Sequence, residues 1–243
     1  MHSEVSIIIP TLNESNCLQK TLDNLTLLNP AAKEILIVDG GSKDNTVEIA
    51  RQAGISVLSS QPGRSLQMNT GAQAAQGKFL CFVHADTLVP LDLTTIIAKT
   101  LSDRTIAAGG FISIMSGANK TRWGVSLHNY LKTYYGAVIF RPHLFMKGLR
   151  ILFGDQVIFC RRQDFEDCGG FAPQLPIMED AELCMRLVKY GRIYLVNRIV
   201  QSSDRRVAKW GSLKANLIYL YIGCLWAMGV SPTYLKQFYE DIR

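Results

Sequence analysis

The chain reads as an α/β protein, a doubly wound and mostly parallel central sheet flanked by helices, with an apolar helix at its C-terminal end. Short, β-branched apolar runs alternate with helical stretches along the first hundred residues, the order of βαβ units. Those runs are nearly continuous rather than alternating, as expected of strands covered on both faces. No internal repeat or low-complexity linker interrupts the 243 residues, of which 48% are apolar, so one folded unit is expected.

Strands are predicted over 4–10 (EVSIIIP), 34–40 (EILIVDG), 55–59 (ISVLS) and 79–85 (FLCFVHA). Leu18, Leu22 and Leu25 recur at helical spacing between the first two. NTVEIARQAG, closed by Gly54, and SLQMNTGAQAAQG, ending at Gly77, are the next helices. Past Pro90, LTTIIAKTLS reads as a helix capped by Asp92, and IAAGGFISIM as a strand with a glycine bend. Residues 117 to about 157 mix aromatic, basic and glycine residues and read only as helix and loop. QVIFC then resumes as a strand, RQDFEDCGGF as a short helix and turn, EDAELCMRLVKYG as a helix and RIYLVN as a strand.

A net charge of +6 favours anionic partners such as phosphates or a membrane surface, and ordinary solubility explains it equally well. No nucleic-acid partner is expected. The six cysteines are scattered, form no C-x-x-C pair and sit mostly among apolar neighbours, which points to a reduced cytoplasmic setting. The apolar run of VSIIIP is too short for a signal sequence and follows Glu4. Residues 211–232 are the most apolar stretch, but Lys214 and Asn216 leave it marginal against the 20 or so apolar residues of a spanning helix. Two readings stay open: a tail at a membrane interface, encouraged by Trp226, the nearby tyrosines, Lys209 and Lys236, or a helix packed on the core or on a second copy.

In open α/β sheets ligands gather beyond the carboxyl ends of the strands. Three such ends carry polar groups here: PTLNE (10–14), DGGSKDN (39–45) and HAD (84–86). Each has a structural reading as a turn or a helix cap. A cap does not, however, require a carboxylate at the last strand position, where Asp39 stands.

VSIIIPTLNE, EILIVDGGSKDNT and RSLQMNTGAQAAQGKFLCFVHADT together resemble a family 2 glycosyltransferase of the GT-A fold, and GGFAPQLPIMEDAELCMRLVKYGRI is similar to that family's acceptor-side segment with its Glu-Asp pair. The likeness covers most of residues 4 to 200. GDQVIFCRR and SSDRRVAKWG further resemble a bacterial subgroup of small glycosyltransferase-like proteins.

The resemblance implies roles by position. Pro10, Thr11, Asn13 and Glu14 match the loop against the nucleotide. Asp39 matches the carboxylate that accepts a hydrogen bond from the base ring; being acceptor-only, it suits a uracil-like or thymine-like edge. Arg64 and Asn69 fall in a segment bordering the nucleotide. HAD resembles the Asp-x-Asp metal signature, with His84 replacing its first aspartate; Asp86 is the implied ligand of a divalent metal, Mg or Mn, across the diphosphate. His84 could touch the ribose, help ligate the metal or simply end the strand.

Asp180 aligns with the general base of inverting members, beside Glu179 on the substrate side. Acids in the first turn of a helix also complement its dipole, a field that keeps a carboxylate ionised with a low pKa, whereas partial desolvation would raise the pKa of a working base. Arg205 and Arg206 match a basic segment that closes over the diphosphate, or else form a lipid-facing patch, and Asp155 resembles part of an acceptor-side turn.

The resemblance therefore implies a hexosyl- or related transferase. It would move a sugar from a nucleotide-diphosphate donor, uridine-based on the Asp39 argument, to an acceptor hydroxyl with inversion, and a lipid-linked acceptor is one candidate. The alternative is a non-catalytic nucleotide-sugar-binding protein, made credible by His84. The expected layout is a glycosyltransferase domain over 1–210, its nucleotide part about 1–115 and its acceptor part about 116–210, followed by a C-terminal helical segment over 211–243. The expected location is cytoplasmic, with peripheral contact at the inner face of the membrane or a homodimer through the last helix.

Overall fold

A computed structural model describes residues 3–117 and 120–239. The strands are β1 (Val5–Thr11), β2 (Glu34–Asp39), β3 (Ser56–Ser59), β4 (Phe79–Phe82), β5 (Thr87–Leu88), β6 (Ile106–Ser116), β7 (Ile158–Arg161) and β8 (Arg192–Ser203). The helices are α1 (Leu18–Thr26), α2 (Thr46–Gln52), α3 (Arg64–Ala74), α4 (Leu93–Ser102), α5 (Trp123–Phe140), α6 (Pro142–Met146), α7 (Arg162–Asp167), α8 (Glu179–Leu187), α9 (Arg205–Trp210), α10 (Ser212–Ala227) and α11 (Pro232–Leu235).

The described strands form one sheet in the order β3-β2-β1-β4-β7-β6-β8-β5. Its first four strands are parallel. β7 runs against both of its neighbours, and β5 against β8. The expectation of a mostly parallel sheet thus holds with two reversed strands.

Alternation along the strands explains the continuous apolar runs. Val5, Ile7 and Ile9 of β1 enter the core layer shared with α1 and α4, while Ile8 enters the layer shared with α3, α5 and α8. Ile37 of β2 faces the first layer, and Leu36 and Val38 the second. Both faces are covered, so no polar residue is needed on either. α3 lies so close to β1 that a Cβ on Gly71 would come within 2.4 Å of the Ile8 side chain.

Two local expectations change. Asp92 stands at the start of α4 but makes no capping hydrogen bond; its carboxylate is drawn instead to Arg198, 2.6 Å away. The strand expected over 79–85 ends at Phe82, so His84 and Asp86 leave the sheet as loop residues. Segment 117–157 contains the long helix α5, and the last apolar stretch forms α10, which packs against α5 and α9. Among the described residues, no helix is long and apolar enough to cross a membrane.

Candidate active site

The carboxyl ends of β1 and β4, the start of α3 and the start of α8 open on one cavity of about 640 Å³, closed on its far side by α5, α9 and α10. Of the residues singled out from the sequence, Pro10, Thr11, Glu14, Arg64, His84, Asp86, Asp155, Glu179, Asp180, Arg205 and Arg206 line it. Asn13, Asp39 and Asn69 do not.

These three are occupied elsewhere. Asp39 is buried, and its carboxylate accepts from the Gly41 and Ser42 N–H groups (2.9 and 2.8 Å), the Ser42 hydroxyl (2.5 Å) and the Thr11 hydroxyl (3.2 Å). Four donors fill the lone pairs of both oxygens, so Asp39 acts as the clamp of its own turn, and a base N–H would have to displace one of them. Asn13 adopts a left-handed backbone (φ 57°) and accepts from the Lys43 N–H at 2.8 Å, which ties the first loop to the second. Asn69, expected to border the nucleotide, spends its whole amide on the Phe171 backbone, donating to the carbonyl at 2.8 Å and accepting from the N–H at 2.9 Å. That correction has a simple cause: one turn of α3 carries Asn69 away from Arg64 and toward the 169–171 turn.

On the wall formed by the loops after β1 and β4, the guanidinium of Arg205 donates to Glu14 and to Asp86, each at 2.9 Å. Burial works against this charge, but Asp86 and Glu14 more than offset it and hold its pKa above the ordinary value. Opposite, Arg64 pairs at 3.0 Å with Glu179, which is buried. Arg206 reaches the hydroxyl of Tyr239 and lies over its ring.

Asp180 is the outlier. It is buried at the first turn of α8, where its Oδ2 accepts the Gly154 N–H at 2.8 Å. Burial, then the charge of Glu179, push its pKa up to about 8, against the opposing pull of Arg64 and the Gly154 hydrogen bond. Of the two opposing expectations, desolvation prevails over the helix dipole, a field that acts only over one turn.

His84 lies beside it. A Cβ built on Gly154 would sit 2.3 Å from His84 Nε2 and 3.2 Å from Asp180 Oδ2. Only a glycine lets the imidazole close against the 154–156 turn. Burial, then Arg64, lower the His84 pKa to about 3, so the ring is neutral, and its enclosed Nε2 has no hydrogen-bond partner.

Lys132 was not anticipated. Its ammonium caps the Phe153 ring at 3.6 Å, and burial lowers its pKa to about 8 despite the nearby charges of Asp155 and Asp180. A lone lysine in an apolar helical stretch carries no motif, so nothing local marks it. Asn129 of the same helix donates to the Asp155 carboxylate, and Gln67 donates to the Thr11 and Val38 carbonyls (2.6 and 2.8 Å), pinning the ends of β1 and β2.

Among the described residues, no group of three or more His, Cys, Asp or Glu side chains is placed to hold a metal by itself. With His84 turned against Gly154, this wall offers the carboxylate of Asp86, with Glu14 beside it on the same Arg205 guanidinium. That set fits an ion carried mainly by diphosphate and water oxygens, as hard divalent cations commonly are at phosphate sites.

Comparison with known proteins gives one consistent result. Residues 6–168 match the model of the family described as "Glycosyl transferase family 2". The chain is 25% identical over 197 residues to a pre-mycofactocin glycosyltransferase of Mycobacterium tuberculosis (strain CDC 1551 / Oshkosh), an alignment covering 78% of this chain and 40% of that protein. The chain thus spans about two-fifths of that relative's length. It is 27% identical over 221 residues to a PGL/p-HBAD biosynthesis glycosyltransferase of Mycobacterium bovis (strain BCG / Pasteur 1173P2), covering 88% of this chain and 80% of that one. Among solved structures, the fold is similar to a mannosyltransferase from Pyrobaculum calidifontis in complex with GDP-Man and Mn2+ (TM-score 0.68, 18% identity, 100% of this chain and 66% of that one). It is also similar to glucosyl-3-phosphoglycerate synthase from Mycobacterium tuberculosis in complex with Mn2+, UDP and phosphoglyceric acid (TM-score 0.64, 19% identity, 94% and 79%). At those identities the two structures bear on the fold, which is of the GT-A type.

Proposed function

The chain belongs to glycosyl transferase family 2, and from that premise we propose that it transfers a sugar from a nucleotide-diphosphate donor to an acceptor hydroxyl by direct displacement, with inversion at the anomeric carbon. The observation that carries this reading is the pairing, across one cavity, of a buried carboxylate whose pKa stands near neutrality, Asp180, with a wall of guanidinium groups. A base of that pKa takes a hydroxyl proton efficiently near neutral pH. Guanidinium groups opposite it stabilise the charge that appears on a departing diphosphate.

In this reading, Pro10, Thr11 and Glu14 border the donor nucleotide, with Asn13 and Asp39 shaping the two loops behind them. UDP-sugars are the first donors to test. Arg205 and Arg206 receive the diphosphate, and Arg205 exchanges its carboxylate partners for phosphate oxygens. Asp86 would then hold a divalent cation, which supplies further charge neutralisation to the leaving group. Glu179, fixed by Arg64, and Asp155, fixed by Asn129, orient the acceptor while Asp180 takes its proton. Residues up to about 115 serve the donor and 116–210 the acceptor, and the C-terminal helical segment, described as far as Tyr239, closes the cavity.

The test is a screen of nucleotide sugars with Mn2+ or Mg2+, following nucleotide release and the anomeric configuration of the product. Turnover that Asp180→Asn abolishes while donor binding persists supports the proposal. Donor binding without turnover for any acceptor or metal would leave a nucleotide-sugar-binding protein instead.

A further inference from the structure

α5 and α10 carry an apolar surface that the catalytic reading leaves unused. On α5, Trp123, Leu127 and Leu131 recur four residues apart and stand exposed, Trp123 at 67%. On α10, Leu213, Leu217 and Tyr221 do the same, Leu213 at 76%. The two helices meet through His128 and Asn216 (2.9 Å), and Lys132 lies 5.4 Å from the Tyr219 ring. Both contacts climb the two helices together, so the helices run parallel. At 100° per residue, each stripe lies roughly 100° from that seam, on the same side of the pair.

The exposed charged groups described on these helices and their flanks are basic: Lys120, Lys147, Lys209 and Lys214 stand exposed, while Lys132, Arg205 and Arg206 turn to the cavity and Arg122 pairs with Asp204. Residues 120–154 contain six basic residues (Lys120, Arg122, Lys132, Arg141, Lys147, Arg150) and no acid, and residues 205–239 contain five (Arg205, Arg206, Lys209, Lys214, Lys236) and no acid. A second copy would set these lysines against one another, with no carboxylate among the described residues of the two segments to pair. A bilayer bearing anionic headgroups complements both the apolar centre and the basic surround.

This face adjoins the wall of the cavity. A shallow apolar groove on α10 shares Leu220 and Cys224 with the cavity lining.

We infer that the α5–α10 face docks on the surface of an anionic lipid bilayer, its apolar stripes entering the headgroup boundary, so that the cavity meets its acceptor from the lipid side. The acceptor clause rests on the proposed transferase reading; the docking does not.

Cosedimentation with vesicles of mixed phosphatidylglycerol and phosphatidylcholine, or of phosphatidylcholine alone, tests the docking. The chain should bind the anionic vesicles, and binding should fall as salt rises. Leu127→Glu with Leu217→Glu should weaken binding by about tenfold or more. Both sites are more than half exposed and outside the cavity lining, so circular dichroism should be unchanged. Asp180→Asn should bind like the wild type, which separates failure of docking from failure of the transferase reading. Three results would overturn the inference: equal binding of the double variant, no preference for anionic vesicles, or a dimer in sedimentation velocity that Leu217→Glu splits while vesicles are not bound.

Discussion

Replacing Asp180 by Asn should separate what this carboxylate does from what it costs the fold. Its pKa lies at about 8 rather than the ordinary 3.8 because burial and Glu179 disfavour the charged form. Between those two values the folded chain holds a proton that the unfolded chain has released. Stability therefore falls as pH rises through the window and levels off above about 8. At about 1.36 kcal/mol per unit, the full shift sets a ceiling of about 6 kcal/mol, of which about 4 falls between pH 5 and 8. Water in the cavity relaxes around the ionised group, so about 2 kcal/mol is the expected size. Asn keeps the shape and still accepts the Gly154 N–H, but cannot ionise. Urea unfolding at about pH 5 and 8 should show the wild type losing about 2 kcal/mol more than the variant. In the same chain, kcat/KM should climb about tenfold per pH unit below about 8, since only the ionised base acts. Parallel stability changes in the two proteins, together with a flat wild-type rate profile from about pH 6 to 9, would refute both the buried proton and the base.

Asn69→Ala removes two hydrogen bonds to the Phe171 backbone. It should cost about 2 kcal/mol, a fall of roughly 4–8 °C in Tm, and leave the KM for donor unchanged; a raised KM with unchanged Tm would return Asn69 to the nucleotide. Gly154→Ala drives a methyl group into His84 Nε2 and should lower kcat/KM about tenfold or more by moving the Asp180 partner. Adding His84→Ala should restore much of it, and the double-mutant cycle measures how much. Arg205→Ala leaves Glu14 and Asp86 without their shared cation. The Mn2+ concentration for half-maximal activity should fall several-fold as maximal kcat drops about a hundredfold; an unchanged Mn2+ midpoint would mean that Arg205 and the ion do not compete for Asp86.

How much of this was legible depended on what a sequence encodes locally. The apolar runs ending in PTLNE and HAD marked strands and the rim where they emerge, because alternate residues of β1, β2 and β4 fill two opposite core layers. Direction is not written in such a run. QVIFC reads the same whichever way it enters the sheet, and the reversal of β7 follows from its insertion between β4 and β6. Asp39 and Asn69 were visible as polar residues near the rim, but whether a side chain faces inward or into the cavity is a matter of packing. Lys132 had no motif around it; its place follows from α5 lying against Phe153 and Tyr219. For Asp180 the sequence offers both a dipole that lowers the pKa and a desolvation that raises it, and only the burial decides between them.

The charges of the cavity form a connected problem rather than a set of independent sites. Glu14 and Asp86 share Arg205, and Glu179 takes Arg64. Among the described residues, Asp180 has the Gly154 N–H and no paired guanidinium, and it is the group whose ionisation is pushed up to about 8. A diphosphate entering this space brings further negative charge, which by itself would raise the pKa of Asp180 again and silence the base the reaction needs. The cations that stabilise the leaving group must therefore also keep the base ionised. Arg205 cannot fully serve phosphate while it neutralises two carboxylates, so donor binding requires either that those carboxylates take up another cation or that Asp180 stays protonated. In the proposed transfer, Asp86 holding a divalent ion would resolve that conflict by freeing Arg205 for the phosphate oxygens.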